Sequence, residues 1–590
     1  MPSSESAPLP AAKGTNGNHN GDYNPKDQPV ENFRPMKVVA IGAGFSGIYL
    51  SIRLPELLRN VELVVYEKNE GLGGTWWENR YPGCACDIPA HSYVYSFEPN
   101  PGWSNFYAPS QEIQQYLQKV ADKYSAGRFI KLGHKVVGCA WDATRSKWKI
   151  DIQRIATGET FSDEADVIVA ARGGLNDYVW PKIDGLWSFK GKIVHSAAWD
   201  TSFDYSNKRI GVIGGGSSAI QIVPKLQKLA GTQLSCFIRS KTWISSTFGA
   251  SAMQKLGLDH EEFTQEDFDK YMSDPKKYHE FRKMIETEGN AMHPFSLKGS
   301  PMSAGARDMF TQLMKGRLAK KPELGDFLIP SFAPGCRRLT PGEGFLEALT
   351  EDNVEFINTA IEAVTETGVV LQGGRAIELD VLVCATGFNA AGPPPFPVIG
   401  VDGRALSDRW EKYPEAYMSV AVDGFPNYFT MLGPNSGVAS GSLTKIIESA
   451  GDYILKCIRK LQKEDIQSMQ ISSRAIRSWV NHVENYFTKT VFLDDCRTWY
   501  RRDNRIIGLW PGSTVHAIEV LRSPRWEDFE YEYGQEAAGD RLLRWLGSGW
   551  SELQLSGGDI SYYIEPEYVD VPSAPFPEKT AKWNMISFSH

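Results

Sequence analysis

No CxxC pair occurs anywhere in the 590 residues, and no window of about 18 apolar residues is present. The first absence leaves the "CAC" at Cys84–Cys86 without the distant partner pair of a zinc site, so no metal is expected. The second comes with no apolar run of roughly 7–15 residues near the start, so neither a membrane span nor a secretory leader is expected. Excess positive charge is also missing. The 63 Lys and Arg face 71 Asp and Glu, a net charge of −8, with an isoelectric point of about 5.8. That balance argues against nucleic acid or an anionic membrane as partner. The eight cysteines, Cys84, Cys86, Cys139, Cys236, Cys336, Cys384, Cys457 and Cys496, are scattered. They are expected to be free thiols, which points to a reducing, cytoplasmic compartment.

What is present starts after a polar stretch, residues 1–33, too poor in apolar surface to fold and expected to be a disordered tail. "KVVAIGAGFSGIYLSIRL" then reads as strand, glycine turn and helix, with Gly42, Gly44 and Gly47 at dinucleotide spacing and Phe45 and Ser46 between them. The next strand, "VELVVYE", ends at Glu67, placed to accept from ribose hydroxyls. A second copy follows in "KRIGVIGGGSSAIQIVPKL", with Gly214, Gly216, Ser217, Ser218 and Ala219 at its turn. Its second strand leads not to an acid but to Arg239, with Lys241 nearby. A base there suits a 2′-phosphate, so this site is expected to prefer NADPH. One acidic and one basic site read most economically as FAD first and NADPH second, with hydride passing between them. Without a redox cysteine pair, a disulfide reductase is disfavoured against a dehydrogenase or a monooxygenase.

The fold class expected is α/β, with two Rossmann-like domains and a helical insertion. An FAD-binding part covers 34–170, and the NADPH-binding part covers 171–240, entered through a linker at 176–208. The polar, helix-prone stretch 241–334 is read as the insertion. Residues 335–388 return to the NADPH-binding domain, and 389–565 complete the FAD-binding domain with a C-terminal cap before a tail at 566–590.

"FKGKIVHSAAWD" narrows the reading. Phe189, Gly191, His195, Trp199 and Asp200 match F-x-G-x-x-x-H-x-x-x-W-[PD], and the chain resembles a fungal-type Baeyer–Villiger monooxygenase over about residues 36–565. "GGTWWENRYPGCACD", "GCRRLTPGEGFLEAL", "ATGFN", "LGPNS" and "CRTWY…LWPGS" support the resemblance in the family's order. The Trp199-Asp200 ending favours this branch over the related N- and S-oxidising enzymes, which stay open as an alternative. An NADPH oxidase or flavin-binding regulator without an organic substrate is a second one.

The resemblance implies the site. Arg338 aligns with the family's active-site arginine, and Asp87 with the acid that pairs with it. Arg337 falls where a basic residue approaches the NADPH phosphate. Gly74, Thr75, Trp76, Trp77 and Tyr93 are implied along the flavin, and Trp499 on a loop closing over NADP and substrate. His195 is implied to tie the linker to its surroundings rather than to act as acid, base or ligand. Three departures stand out: "RRDNRIIG" after Trp499, shorter than usual in fungal relatives, Ala85 where bacterial members often carry arginine, and Asn389 where aspartate is commoner. The implied substrates are O2 and a ketone, bulky and apolar, of a polyketide or terpenoid pathway. Oligomeric state is left open.

Overall fold

The computed structural model describes residues 27–30, 33–245, 249–255, 257–258, 260–390, 392–533 and 542–565. The expected tails lie almost wholly outside these residues. Two compact units divide the chain: one spans Pro35–Leu461 and Gln467–Glu532, the other Gln462–Ile466 with the described parts of 1–34 and of 533–590. The expected stretch 389–565 is thereby divided at Glu532. Within the small unit, Val30 N donates to Trp550 O (3.0 Å) and the Arg34 guanidinium to Ile466 O (2.6 Å).

The large unit is built on two five-stranded parallel sheets. In the first, strand Met36–Ile41 lies centrally, flanked by Val61–Tyr66 and Ile130–Lys131 on one side and by Val167–Ala170 and Tyr428–Thr430 on the other. In the second, Arg209–Ile213 is central between Gln233–Phe237 with Val354–Ile357 and Val381–Cys384 with Lys192–His195. The strands at the centre of the first sheet, Met36–Ile41 and Val167–Ala170, are almost wholly apolar and buried, as expected where both faces are covered. Val167–Ala170 is buried at every position, and each fully buried Val or Ile contributes on the order of 1.5–3 kcal/mol.

A four-stranded sheet, Val398–Ile399, His134–Asp142, Lys147–Arg154 and Thr160–Ala165, packs its Trp148 against Tyr428 of the first sheet. Residues 241–334 are mostly helical, with Pro275–Ala291 capped by Asp274 and Pro301–Arg317 capped by Ser300. Phe281 and Ile285 of the first of these helices share a core with Phe106. Among the described residues no helix is long and apolar enough to cross a membrane.

Candidate active site

Each central strand ends in a glycine turn that opens a helix. Gly42 sits at φ +105° and its N–H donates to Tyr66 O (2.8 Å). A Cβ at Gly47 would lie 2.0 Å from Gly42 O, so only glycine lets helix Phe45–Leu57 approach the turn. Glu67 lies beneath this turn, 4% exposed. It accepts from Ala43 N (2.7 Å) and Asn69 N (2.8 Å), and burial pushes its carboxyl up. The segment around Gly73 joins through Gly73 N donating to Ala43 O (3.1 Å). Gly44 and Gly74 then face each other so closely that a Cβ on Gly74 would lie 3.0 Å from Gly44 Cα. Tyr93 carries the Trp76 indole N–H on its hydroxyl (3.3 Å) and packs edge-on against Phe45.

At the second turn Gly214 has φ +133°, and Ser217, Ser218 and Ala219 begin helix Ser217–Gln227. Tyr81 donates to Gln221 Oε1 (2.9 Å), and Gln221 Nε2 donates to Ala85 O (3.0 Å). The "RYPGCACD" segment is thus held between the two turns. Gly42, Gly44, Phe45, Ser46, Glu67, Gly74, Thr75, Trp76 and Tyr93 from the first sheet's side line one cleft of about 1580 Å³ with Gly214, Gly216, Ser217, Ser218 and Arg239 from the second. That exceeds a single small-molecule site of about 300–1,000 Å³. Gly47 and the fully buried Ala219 do not line it; they pack helix against strand.

On the cleft wall, Arg338 grips Asp87 through two hydrogen bonds, Nε to Oδ2 (2.8 Å) and Nη2 to Oδ1 (2.5 Å). The Asp87 side chain is 15% exposed, whereas that of Arg338 keeps 37% open onto the cleft. The carboxylate lifts the guanidinium further above its ordinary pKa, so it is charged at every working pH. The buried Tyr500 lies within the field of the Arg338 charge, which acts against the desolvation that raises its phenol pKa. Among the described residues Arg337, one residue earlier, reaches only the carbonyls of Lys241 and Gly215, both at 3.4 Å, and forms no ion pair. Burial and the nearby Arg497 lower its pKa. Trp499 is 43% exposed, lines the cleft and meets Tyr500 edge-on. The short "RRDNRI" after it forms a hairpin, Arg501–Arg502 against Arg505–Ile506.

Three expectations are corrected. Trp77 does not line the cleft: its ring covers Gly71, which has no side chain to exclude it, and lies under the Arg80 guanidinium (4.4 Å). Lys241 turns away, donating its Nζ to Asp326 O (2.7 Å) in the insertion. The cysteines are not all free: Cys336 and Cys496 form a disulfide across 160 residues, with Cα atoms 6.2 Å apart. Only the folded chain brings them together, so spacing gave no sign of the pair. The other six are buried free thiols.

The linker fingerprint stays outside the cleft. Gly191 is pinned because a Cβ there would lie 2.5 Å from Asp380 O. Trp199 stacks on Tyr205 (4.7 Å), and Asp200 accepts from Lys192 Nζ (2.5 Å). Phe189 joins a core cluster with Leu382 and Cys384. His195, fully buried, stacks on Tyr178 (4.6 Å). Its Nδ1 accepts from Ala197 N (3.1 Å), which leaves the proton on Nε2, 3.3 Å from Thr386 Oγ1. Thr386 donates in turn to Val179 O (2.5 Å). Desolvation lowers the imidazole pKa to about 4, so it is neutral. This chain ties strand Lys192–His195 to the "ATGFN" turn, whose Thr386 lines the cleft.

Sequence reasoning passed over Arg497, Tyr500, Gln221 and Thr386. Arg497 carried a signal, a basic residue two positions before Trp499; the others show only in three dimensions.

Gly44, Gly74 and Gly214 line the cleft at backbone approaches too close for side chains at Gly74 and Gly214, so both turns present bare backbone to it. With Glu67 beneath one and Arg239 beside the other, the residues present fit two dinucleotides. Comparisons with known proteins agree. Residues 41–109 match an NAD(P)-binding Rossmann-like domain, and residues 93–294 match the L-lysine 6-monooxygenase/L-ornithine 5-monooxygenase family. The chain is 37% identical over 539 residues to the FAD-binding monooxygenase tazF of Aspergillus terreus, covering 90% of this chain and 95% of that protein. It is 34% identical over 522 residues to a Baeyer–Villiger monooxygenase of Pseudomonas aeruginosa, covering 84% and 92%. A solved steroid monooxygenase bound to NADP superposes with TM-score 0.70 at 26% identity, over 85% of this chain and all of that one. A Rhodococcus cyclohexanone monooxygenase bound to NADP+ gives TM-score 0.73 at 25% identity, over 85% and 100%. Two glycine turns, one shared cleft and near full-length kinship lead to one conclusion: the chain belongs to the FAD-binding monooxygenases of the Baeyer–Villiger type.

Proposed function

We propose that the protein uses FAD and NADPH to insert one oxygen atom of O2 beside a ketone carbonyl, giving an ester or lactone. The observation that carries the reading is the Arg338–Asp87 pair on the wall of a cleft that both glycine turns reach. Bound FAD, reduced by NADPH, supplies the activation of dioxygen. Arg338 holds positive charge where negative charge develops on oxygen as the carbonyl is attacked. Asp87 fixes the guanidinium plane with its two-pronged grip, so the charge is placed before reaction begins. Glu67, held by Ala43 N and Asn69 N, keeps acceptor capacity for a ribose hydroxyl on the FAD side. Arg239 and Arg337 offer charge to the 2′-phosphate of NADPH, and Trp499 with Tyr500 shields the site from water.

A bulky apolar ketone is the substrate class we favour, of the kind made in fungal secondary metabolism. The cleft supports it through Leu432, Val438, Leu443, Ile447 and Leu509, which join the polar residues on its wall. N- or S-oxidation is the second reading, favoured by the match of residues 93–294 to lysine and ornithine monooxygenases. Incubation of the holoenzyme with NADPH, isotopically labelled dioxygen and a panel of ketones, amines and sulfides separates the two. Esters or lactones carrying one labelled oxygen support insertion. Exclusive N- or S-oxides favour the rival, and peroxide release that no ketone suppresses points to an oxidase.

A further inference from the structure

The Cys336–Cys496 disulfide joins two segments that both line the cleft, and in each the residue that follows is an arginine: Arg337 in one, Arg497 in the other. Both sulfurs are buried, the cysteines being 0% and 4% exposed. The join is reinforced by Ala333 N donating to Asp494 Oδ2 (2.6 Å) and by the Arg501 guanidinium donating to Asp494 O (3.0 Å) and Cys496 O (2.8 Å). The backbone on either side of Arg497 is therefore fixed to the backbone that carries Arg337.

The Asp494 carboxylate of this staple takes Ala333 N and, among the described residues, pairs with neither Arg337 nor Arg497. Arg337 has only distant carbonyl contacts, and its Nη2 lies 3.5 Å from where a Cβ of Gly216 would be, directly at the second glycine turn. Among the described residues, Arg497 and Arg239 have no carboxylate within ion-pair distance. The positive field of Arg497 reaches Arg337. Like-charged guanidiniums with no carboxylate paired to them are unfavourable near one another and favourable around a dianion, and a phosphate monoester carries about −1.5 to −2 charges near neutral pH.

We propose that Arg497 is a specificity residue for NADPH: the Cys336–Cys496 disulfide seats it beside Arg337, so that both guanidiniums, with Arg239, meet the 2′-phosphate. The proposal rests on reading the second glycine turn as the NADPH site. It gives the disulfide a task as well. Reduction by a dithiol, which takes up the disulfide as two thiols while itself closing to a disulfide, frees Arg497 and weakens discrimination against NADH.

Anaerobic flavin reduction by NADPH and by NADH tests this on the full-length holoenzyme. Four proteins are compared: wild type, Arg239→Ala, Arg497→Gln and Cys496→Ser. Arg497→Gln is expected to raise half-saturating NADPH about tenfold, the scale of one charge-assisted contact, and to leave that for NADH in place. Cys496→Ser, or wild type treated with dithiothreitol and checked for two new thiols by mass, is expected to give a smaller loss of the same NADPH-only kind. In the Arg497→Gln background the dithiol is expected to add nothing. The dithiol arm keeps the test valid should Cys496→Ser fail to fold. If Arg239→Ala loses NADPH preference while Arg497→Gln behaves as wild type, the role of Arg497 is refuted and the phosphate site stands. If Arg239→Ala itself affects both cofactors alike, the phosphate-site reading falls. Equal losses for both cofactors on reduction would make the disulfide merely structural.

Discussion

Arg338 has both a fixed partner and an open face. Asp87 uses Nε and one terminal nitrogen, and the rest of the guanidinium looks into the cleft. In the proposed reaction hydride transfer needs the two dinucleotides seated at the glycine turns; attack on a carbonyl additionally needs charge at the oxygen. Arg338→Ala is therefore expected to separate the half-reactions. Anaerobic bleaching of the flavin by NADPH should persist, and ester formation should fall by at least about 100-fold. Asp87→Ala should show the same pattern more mildly, since the charge stays but loses its fixed plane. Arg338→Lys should rescue little, because an ammonium cannot make the two-pronged contact. Stopped-flow reduction and product yield on one preparation decide it. Near wild-type ester formation by Arg338→Ala, with loss in Arg337→Ala, would assign the role to the neighbouring residue instead.

Helix Phe45–Leu57 shows what an element can and cannot disclose before it is folded. Its apolar run, the strand before it and the spacing of Gly42, Gly44 and Gly47 are local, so strand, turn and helix were all readable from the sequence. The same holds for strand Arg209–Ile213 with helix Ser217–Gln227. What was not readable depends on pairing between distant elements. Cys336 and Cys496 meet across 160 residues. Lys241 is drawn off by a carbonyl of the insertion. Of two adjacent tryptophans, Trp76 lines the cleft and Trp77 covers Gly71, a choice set by tertiary packing. The helix also makes a prediction. Since a Cβ at position 47 would overlap Gly42 O, Gly47→Ala must push the helix from the turn, which the proposed function gives to the FAD pyrophosphate. The purified variant is expected to carry markedly less FAD and to melt lower than wild type, by the equivalent of about 1–3 kcal/mol for overpacking. Full FAD content, measured by absorbance after denaturation, would show that the turn tolerates the shift.

At the scale of the whole molecule, buried histidines join parts of the chain that are remote in sequence. His91 follows the Asp87 segment and packs against Phe263, Tyr278 and Phe281 of the insertion. The Tyr278 hydroxyl donates to Asn100 O (2.7 Å), so His91 must donate its Nδ1 proton to that hydroxyl (3.1 Å). Among the described residues its buried Nε2 has no hydrogen-bond partner to hold a second proton. Desolvation, aided by Arg282, lowers its pKa from 6.5 to about 3, and His195 falls to about 4 in the same way. A folded state with depressed histidine pKa values binds fewer protons than the unfolded chain, so stability present above pH about 6.5 is lost as pH falls toward the folded values. At pH 5 the loss from His91 is about 2 kcal/mol relative to neutrality. The raised carboxyls of Glu67 and Glu286 act in the opposite sense, so total stability mixes the two. A difference isolates the histidine. His91→Phe keeps the aromatic contacts and removes the titrating group. It is expected to melt below wild type at pH 7.5, where the lost bond to Tyr278 dominates, and to close that gap at pH 5. Melting followed by flavin fluorescence at both pH values measures the gap, and an unchanged gap would mean that His91 does not couple the insertion to acid.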